Sequence, residues 1–362
     1  MKCKDFSRRE FLQTSSGLAT GVAAGSLVSS LGCAPQIQTP VVSIARIEND
    51  NIGYAVEKAI DLLGGIETVA KDQERIMLKP NLVDSNPDDT TKPEVIMALG
   101  RLMKNAGKEV LIGEGSGVAP QFNLKGGEAF RTRNKDILDP MQQFVFDELG
   151  FTDLAKSLKV PLINLHSGPM AEVNVQNGYV FDKVTLHESL TDIDLLCSVP
   201  MMKTHIMATV TLGMKNLIGV YPGTVYYSVR SWLHDYAEDA GSVGIAGEIV
   251  DMVRANKMGL TVVDGSVAME GQGPSGGDLV KMDVIIAGTT PLATDMVTAS
   301  IMGFEINEIP TFTWAHKAGM IPTTLEEIEI RGEQPQNVKR NFVKPNVITW
   351  ESIRNTWGVK EI

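Results

Sequence analysis

From Val41 onward, short apolar runs alternate with stretches whose apolar positions recur at helical spacing. Residues 41–47, 75–78, 110–112, 160–165, 195–199, 260–263 and 283–287 read as strands, with 160–165 and 195–199 apolar enough to be buried on both faces. Helices are predicted at 54–63, stopped by Gly64-Gly65, at Pro93–Asn105 between a first-turn proline and Gly107, and at 141–149, 292–302 and 311–318. Residues 172–175 and 179–184 flank Gln176-Asn177-Gly178, a hairpin signal. The alternation predicts an α/β fold: a mostly parallel or mixed sheet with helices on both faces, plus a small β-hairpin insertion. The polar stretch between Pro120 and Pro140 reads as a flap or an insertion.

The first 33 residues do not fit this pattern. Ser7-Arg8-Arg9-Glu10-Phe11-Leu12 follows a basic start and precedes a weakly apolar run rich in Gly, Ala and Ser. That order matches a twin-arginine export signal and implies the twin-arginine export machinery as a partner and a periplasmic or other extracytoplasmic location. Gly32-Cys33 then marks either a lipoprotein processing junction, with Cys33 lipidated and anchored to the membrane, or the neighbourhood of a plain signal cleavage. The expected organisation is a signal over 1–33, a tether over 34–40, an α/β domain over 41–345 and a C-terminal tail over 346–362.

Charge narrows the choice of partners. Lys and Arg number 33 against 44 Asp and Glu, a net charge of −11, which argues against nucleic acid as a ligand. Of three cysteines only Cys197 would remain as a free thiol after signal removal, too few for an iron–sulfur cluster.

Candidate chemistry falls after the predicted strands, where open parallel sheets bind ligands. Lys79-Pro80-Asn81 follows the second. Gly113-Glu114-Gly115-Ser116-Gly117 follows the third, but lacks the Gly-Lys-Ser/Thr of a phosphate loop and the spacing of a dinucleotide fingerprint. Pro200-Met201-Met202-Lys203-Thr204-His205 leads to Lys215-Asn216, with His234 further on. Lys and His gathered at strand ends of an acidic chain predict a pocket for an anion. Asp264 to Gly277 reads as a loop with four glycines in its last seven residues, capped by Asp264 and entered by Glu270. Its carboxylates suit acid–base work, metal ligation with His205 and His234, or a structural turn.

Lys79-Pro80-Asn81-Leu82-Val83, Pro200 to His205, Lys215-Asn216-Leu217-Ile218-Gly219, Asp264-Gly265, Met269 to Pro274 and Ala287 to Asp295 together resemble the domain of unknown function 362 family, over roughly 41–343. The family's recurrent polar positions fall here on Lys79, Asn81, Lys203, His205, Lys215, Asn216, His234, Asp264, Glu270 and Asp295. Many members carry ferredoxin-like cysteine motifs, from which this chain departs, having no CxxC. A broader likeness to the nickel-pincer lactate racemase fold is an analogy of fold alone. The resemblance names no reaction, cofactor or metal. The reading is therefore an exported enzyme acting on a small anionic molecule. In it Lys79, Asn81, Lys203, Lys215, Asn216, Asp264, Gly271 and Gly273 bind the substrate, and His205, His234 and Glu270 do the chemistry. The alternative is a non-enzymatic periplasmic ligand-binding or assembly factor.

Overall fold

Alternation along single strands sets the layers. In β2 (Arg75–Pro80), Ile76 and Leu78 enter one apolar core while Met77 enters another on the opposite face. The computed structural model describes residues 39–357 and 360–362. Arg8, Arg9 and Cys33, on which the export and anchoring expectations rest, lie outside the described residues, as does most of the tether.

The other strands are β1 (Val41–Arg46), β3 (Glu109–Glu114), β4 (Leu162–Asn164), β5 (Met170–Asn174), β6 (Lys183–His187), β7 (Leu195–Val199), β8 (Met201–His205), β9 (Thr209–Thr211), β10 (Met258–Glu270), β11 (Asp278–Gly288) and β12 (Glu329–Gly332). The main sheet has ten strands in the order β12-β1-β11-β10-β7-β2-β3-β4, with β8 pairing to β10 and β9. Five neighbouring pairs along that order are parallel, and β11 is antiparallel to both β1 and β10. Helices α1 (Ile52–Leu62), α2 (Pro93–Asn105), α3 (Lys135–Glu148) and α4 (Phe151–Leu158) bury one face. On the other lie α5 (Gly213–Asn216), α6 (Ser231–Asp239), α7 (Gly244–Ala255), α8 (Pro291–Ile301) and α9 (Pro310–Lys317). This is an α/β fold with a mixed, mostly parallel sheet, covered on both faces.

Several expectations need correction. β10 and β11 form one long antiparallel hairpin, so Asp264 to Glu270 is strand rather than loop, and only 271–277 turns. Likewise Met201 to His205 is not a strand-end loop. Pro200 lacks the amide proton that would continue the β7 ladder, and the chain resumes as β8 alongside β10. The hairpin's second strand begins at Lys183, because the amides of Tyr179, Val180 and Phe181 donate to the Asp251 carboxylate at 2.9, 2.7 and 3.0 Å and are lost to the ladder. β4 is a half-buried edge strand, not a fully buried one. α3 starts at Lys135, ahead of Pro140, since the Asn134 side chain accepts from the Asp136 amide and caps it. The polar stretch before α3 contains the two-residue strands Leu124–Lys125 and Glu128–Ala129. The expected C-terminal tail holds α10 (Trp350–Trp357), with Trp350 and Ile353 buried.

Candidate functional site

At the carboxyl ends of β2, β3 and β8 a cavity of about 590 Å³ opens. Lys79, Asn81, His205, Lys215, Asn216 and His234, spread over more than 150 residues of sequence, all line it. Of the residues expected to converge, Lys79, His205, Lys215 and His234 line the cavity, whereas Lys203 and Glu270 do not.

Lys79 is fully buried and already paired. Its Nζ donates to Glu114 Oε2 at 2.8 Å, to the Pro80 carbonyl at 2.8 Å and to Asn216 Oδ1 at 3.0 Å. Glu114 also accepts from the amides of Leu82 and Gly115. Asn216 Nδ2 in turn donates to the Lys79 carbonyl and Ser198 Oγ, tying α5 to β2 and β7. Gly219 closes this knot: a Cβ there would lie 2.0 Å from Glu114 Oε1 and 2.7 Å from Lys79 Nζ. Burial pulls the Lys79 amine below its usual range, and Glu114 opposes the shift. Arg230 is similarly committed, its guanidinium donating to the carbonyls of Gly115, Ser116, Gly219, Tyr221 and Ser228. Both cations build the floor and have few donors left for a ligand.

Lys215 is different. It is 7% exposed, lines the cavity, and its Nζ has no hydrogen bond or ion pair among the described residues. Burial brings its amine down to about 8, with Glu248 opposing and Arg230 and Lys79 adding to the fall. The helix that carries it is held by Asp295, whose carboxylate accepts from the amides of Gly213 at 2.8 Å and Met214 at 2.9 Å.

The two cavity histidines present opposite faces. His205 Nδ1 accepts from the amides of Met207 at 3.0 Å and Ala208 at 3.3 Å, so the neutral ring carries its proton on Nε2. Burial, with Lys215, Lys203 and His234 nearby, pushes its pKa well below the imidazole range. In the neutral ring His205 is thus an N–H donor at Nε2. His234 Nδ1 meets Glu248 Oε2 at 2.9 Å, both side chains being buried. A carboxylate accepts only from N–H, which leaves the Nε2 lone pair of the neutral ring unprotonated. Trp350 packs edge-on to the same ring, centroids 5.1 Å apart.

The remaining expected residues do not line the cavity. Lys203 shares the buried strand β8 with His205, but its Nζ donates to the Asp89 carbonyl at 2.6 Å, near the Asp84 and Asp89 carboxylates. Asp264 accepts from the Lys92 amide at 2.8 Å and from Ser266, securing the start of α2. Glu270 accepts from the Val343 amide at 2.9 Å and lies 3.8 Å from Arg340, so it holds the C-terminal segment. Gly271 and Gly273 dock on Thr204: its hydroxyl donates to the Gly271 carbonyl, and a Cβ on Gly273 would lie 2.2 Å from the Thr204 carbonyl oxygen. Gln272, Pro274 and Ser275 of that turn reach the cavity instead.

Glu114, Arg230, Glu248 and Trp350 complete the site and were not singled out as site residues from the sequence. Glu114 sits in the glycine-rich run that drew attention for phosphate. Glu248 has no local signal, since it lies on a different helix from the histidine it orients. Among the described residues no three His, Cys, Asp or Glu side chains gather to hold a metal ion. Cys197 is buried, with its thiol pushed above the usual range by burial.

The model of a family described as "Domain of unknown function (DUF362)" matches residues 76–300. The thylakoid-associated protein sll1697 of Synechocystis sp. is 27% identical over 314 residues, 85% of this chain and 88% of that protein. Among solved structures, the lactate racemase apoprotein from Thermoanaerobacterium thermosaccharolyticum aligns with a TM-score of 0.43 and 13% identity, covering 72% of this chain and 56% of that one. This chain therefore spans little more than half the length of that structure. No helix among the described residues is long and apolar enough to cross a membrane.

Proposed function

The chain belongs to the DUF362 family, and from that premise, which carries no reaction, we propose that it is an enzyme moving a proton on a small anionic substrate bound in this cavity. The observation that carries the reading is Lys215: a buried ammonium facing the cavity without a counter-ion among the described residues. Such a group is stabilised by an incoming anion, and a hydrogen bond to a charged group contributes about 1.5–3 kcal/mol.

His234 Nε2 supplies the base. Glu248 holds the ring in the required tautomer and stabilises the imidazolium once the proton is taken. Lys215 and the His205 Nε2–H stand where negative charge gathers on the substrate, as positive and donor groups that need no reorganisation. Lys79, Glu114 and Asn216 keep α5 and its lysine in place.

We also place the site of action outside the cytoplasm, reached through the twin-arginine machinery by way of Arg8 and Arg9, with Cys33 as the lipid anchor.

The test is proton exchange. A panel of small organic acids is incubated with the protein in D2O and followed by proton NMR. Loss of a carbon-bound proton signal that disappears with His234→Ala and slows by about 10²–10⁴-fold with Glu248→Gln supports the reading. Acids that bind at Lys215 while none exchanges overturn the enzyme and leave the ligand-binding factor.

A further inference from the structure

The cavity has two kinds of wall. Lys215, His205 and His234 make one. The other is apolar: Ile206 of the β8 end packs with Trp350 and Ile353, with Met207 and Ile348 against them. Ile206, Met207, Ile348, Trp350 and Ile353 all line the cavity. Three of these five come from the C-terminal segment, which is fixed over the site by several independent contacts. The Ile348 amide donates to the Ile206 carbonyl at 2.8 Å, and Trp350 Nε1 donates to Asp235 Oδ1 at 2.7 Å. Arg354 bridges Asp235 at 2.9 Å and Glu238 at 3.1 Å. Asp235 neighbours His234 on α6, so the segment is anchored beside the proposed base.

Charge and size limit what fits. Lys79 is neutralised by Glu114, and the donors of Arg230 are spent on main-chain carbonyls. Lys215 is then the single cavity cation with free donors among the described residues, and the buried Glu248 carboxylate behind His234 opposes a second negative charge. One carboxylate matches that wall better than a phosphate dianion does. A carboxylate alone would fill a small part of about 590 Å³, where one liquid water occupies about 30 Å³.

We infer that the substrate is a monocarboxylic acid with an apolar body, and that the C-terminal segment, through Ile348, Trp350 and Ile353, reads that body. The inference rests on the anion-binding reading of Lys215 and adds the substrate class to it. The carboxylate meets Lys215 and His205, and the carbon chain runs along Trp350. His234, whose ring lies against Trp350, faces the junction of the two, next to the carbons nearest the carboxylate.

The test is a calorimetric titration of the exported, processed protein with acetate, butyrate, hexanoate and octanoate, with hexanol and inorganic phosphate as comparisons. Affinity should rise about threefold to fourfold for each added methylene until the cavity is full. Trp350→Ala should flatten that rise. Ile353→Ala, a smaller truncation on the same wall, should lower the increment per methylene without removing α10. Acetate and octanoate binding alike, or phosphate binding more tightly than hexanoate, overturns the substrate class while leaving an anion at Lys215. Hexanol binding as tightly as hexanoate, with no effect of Lys215→Ala, overturns the carboxylate and the anion reading beneath it.

Discussion

His234 and Glu248 meet across 2.9 Å between two helices, fourteen residues apart in sequence and both withdrawn from solvent. Their contact fixes which nitrogen of His234 is free, as the two main-chain amides on His205 Nδ1 fix the reverse in the second ring. Nitrogen-15 NMR of the imidazoles near neutral pH should find His234 protonated at Nδ1 and His205 protonated at Nε2. Glu248→Gln should abolish the single tautomer of His234 and leave that of His205 intact. One shared tautomer in the native protein would remove the division of labour between donor and base.

The two lysines of the cavity should separate in stability. Lys79→Met leaves Glu114 buried without its partner, and breaking such a pair costs about 3–5 kcal/mol. Lys215→Met keeps the aliphatic stem and removes an unpaired buried charge, so the urea midpoint should hold or rise. Lys203→Ala belongs with Lys79: it takes a buried donor from the Asp89 carbonyl, and an unmade buried hydrogen bond costs about 1–3 kcal/mol. Equal midpoints for the Lys79 and Lys215 variants would contradict the assignment.

Much of this was legible from the residues, and the failures have physical causes. Pro93 and Gly107 bracket α2 with local chemistry, so its bounds match residue for residue. Lys79 and His205 sit at the ends of strands, Asn81 just beyond one and Lys215 and Asn216 on the short helix after β9, and the strand-end rule locates their cavity. Lys203 misleads because its place in the run with His205 gives no sign of the Asp89 carbonyl that engages its amine. Asp264 and Glu270 mislead because glycines after a short apolar run resemble a loop, whereas pairing with β11 extends the strand through them. Glu248 and Trp350 reach the site only by tertiary packing, which no local pattern encodes.

Burial raises the Asp295 carboxyl to about 7, against the amides of Met214 and Gly213, which pull the other way. Its ordinary value is 3.8. Between pH 4 and 7 the folded chain holds a proton at Asp295 that the unfolded chain has lost, so this group's contribution to stability declines as pH rises through that window and is level above it. Urea midpoints measured from pH 4 to 7 should fall less steeply in Asp295→Asn than in the native protein. A steeper fall in the variant would show that the burial effect has the opposite sign.

Export should depend on the paired arginines. Arg8→Lys with Arg9→Lys should hold the chain in the cytoplasm, and Cys33→Ser should release a soluble extracytoplasmic form. Cell fractionation reads both. Efficient export of the lysine pair rejects the twin-arginine route, and unchanged membrane association of the serine variant rejects the anchor.

The central claim is that the Lys215 ammonium anchors the ligand, and the affinity for hexanoate from pH 6 to 10 tests it most directly. With the amine near 8 in the free protein, affinity should be level below that pH and fall about tenfold per unit above it, as the charged form is lost. In Lys215→Arg, which stays charged throughout, the same curve should remain level to pH 10. Native affinity that holds to pH 10, or a fall that persists in the arginine variant, contradicts the claim.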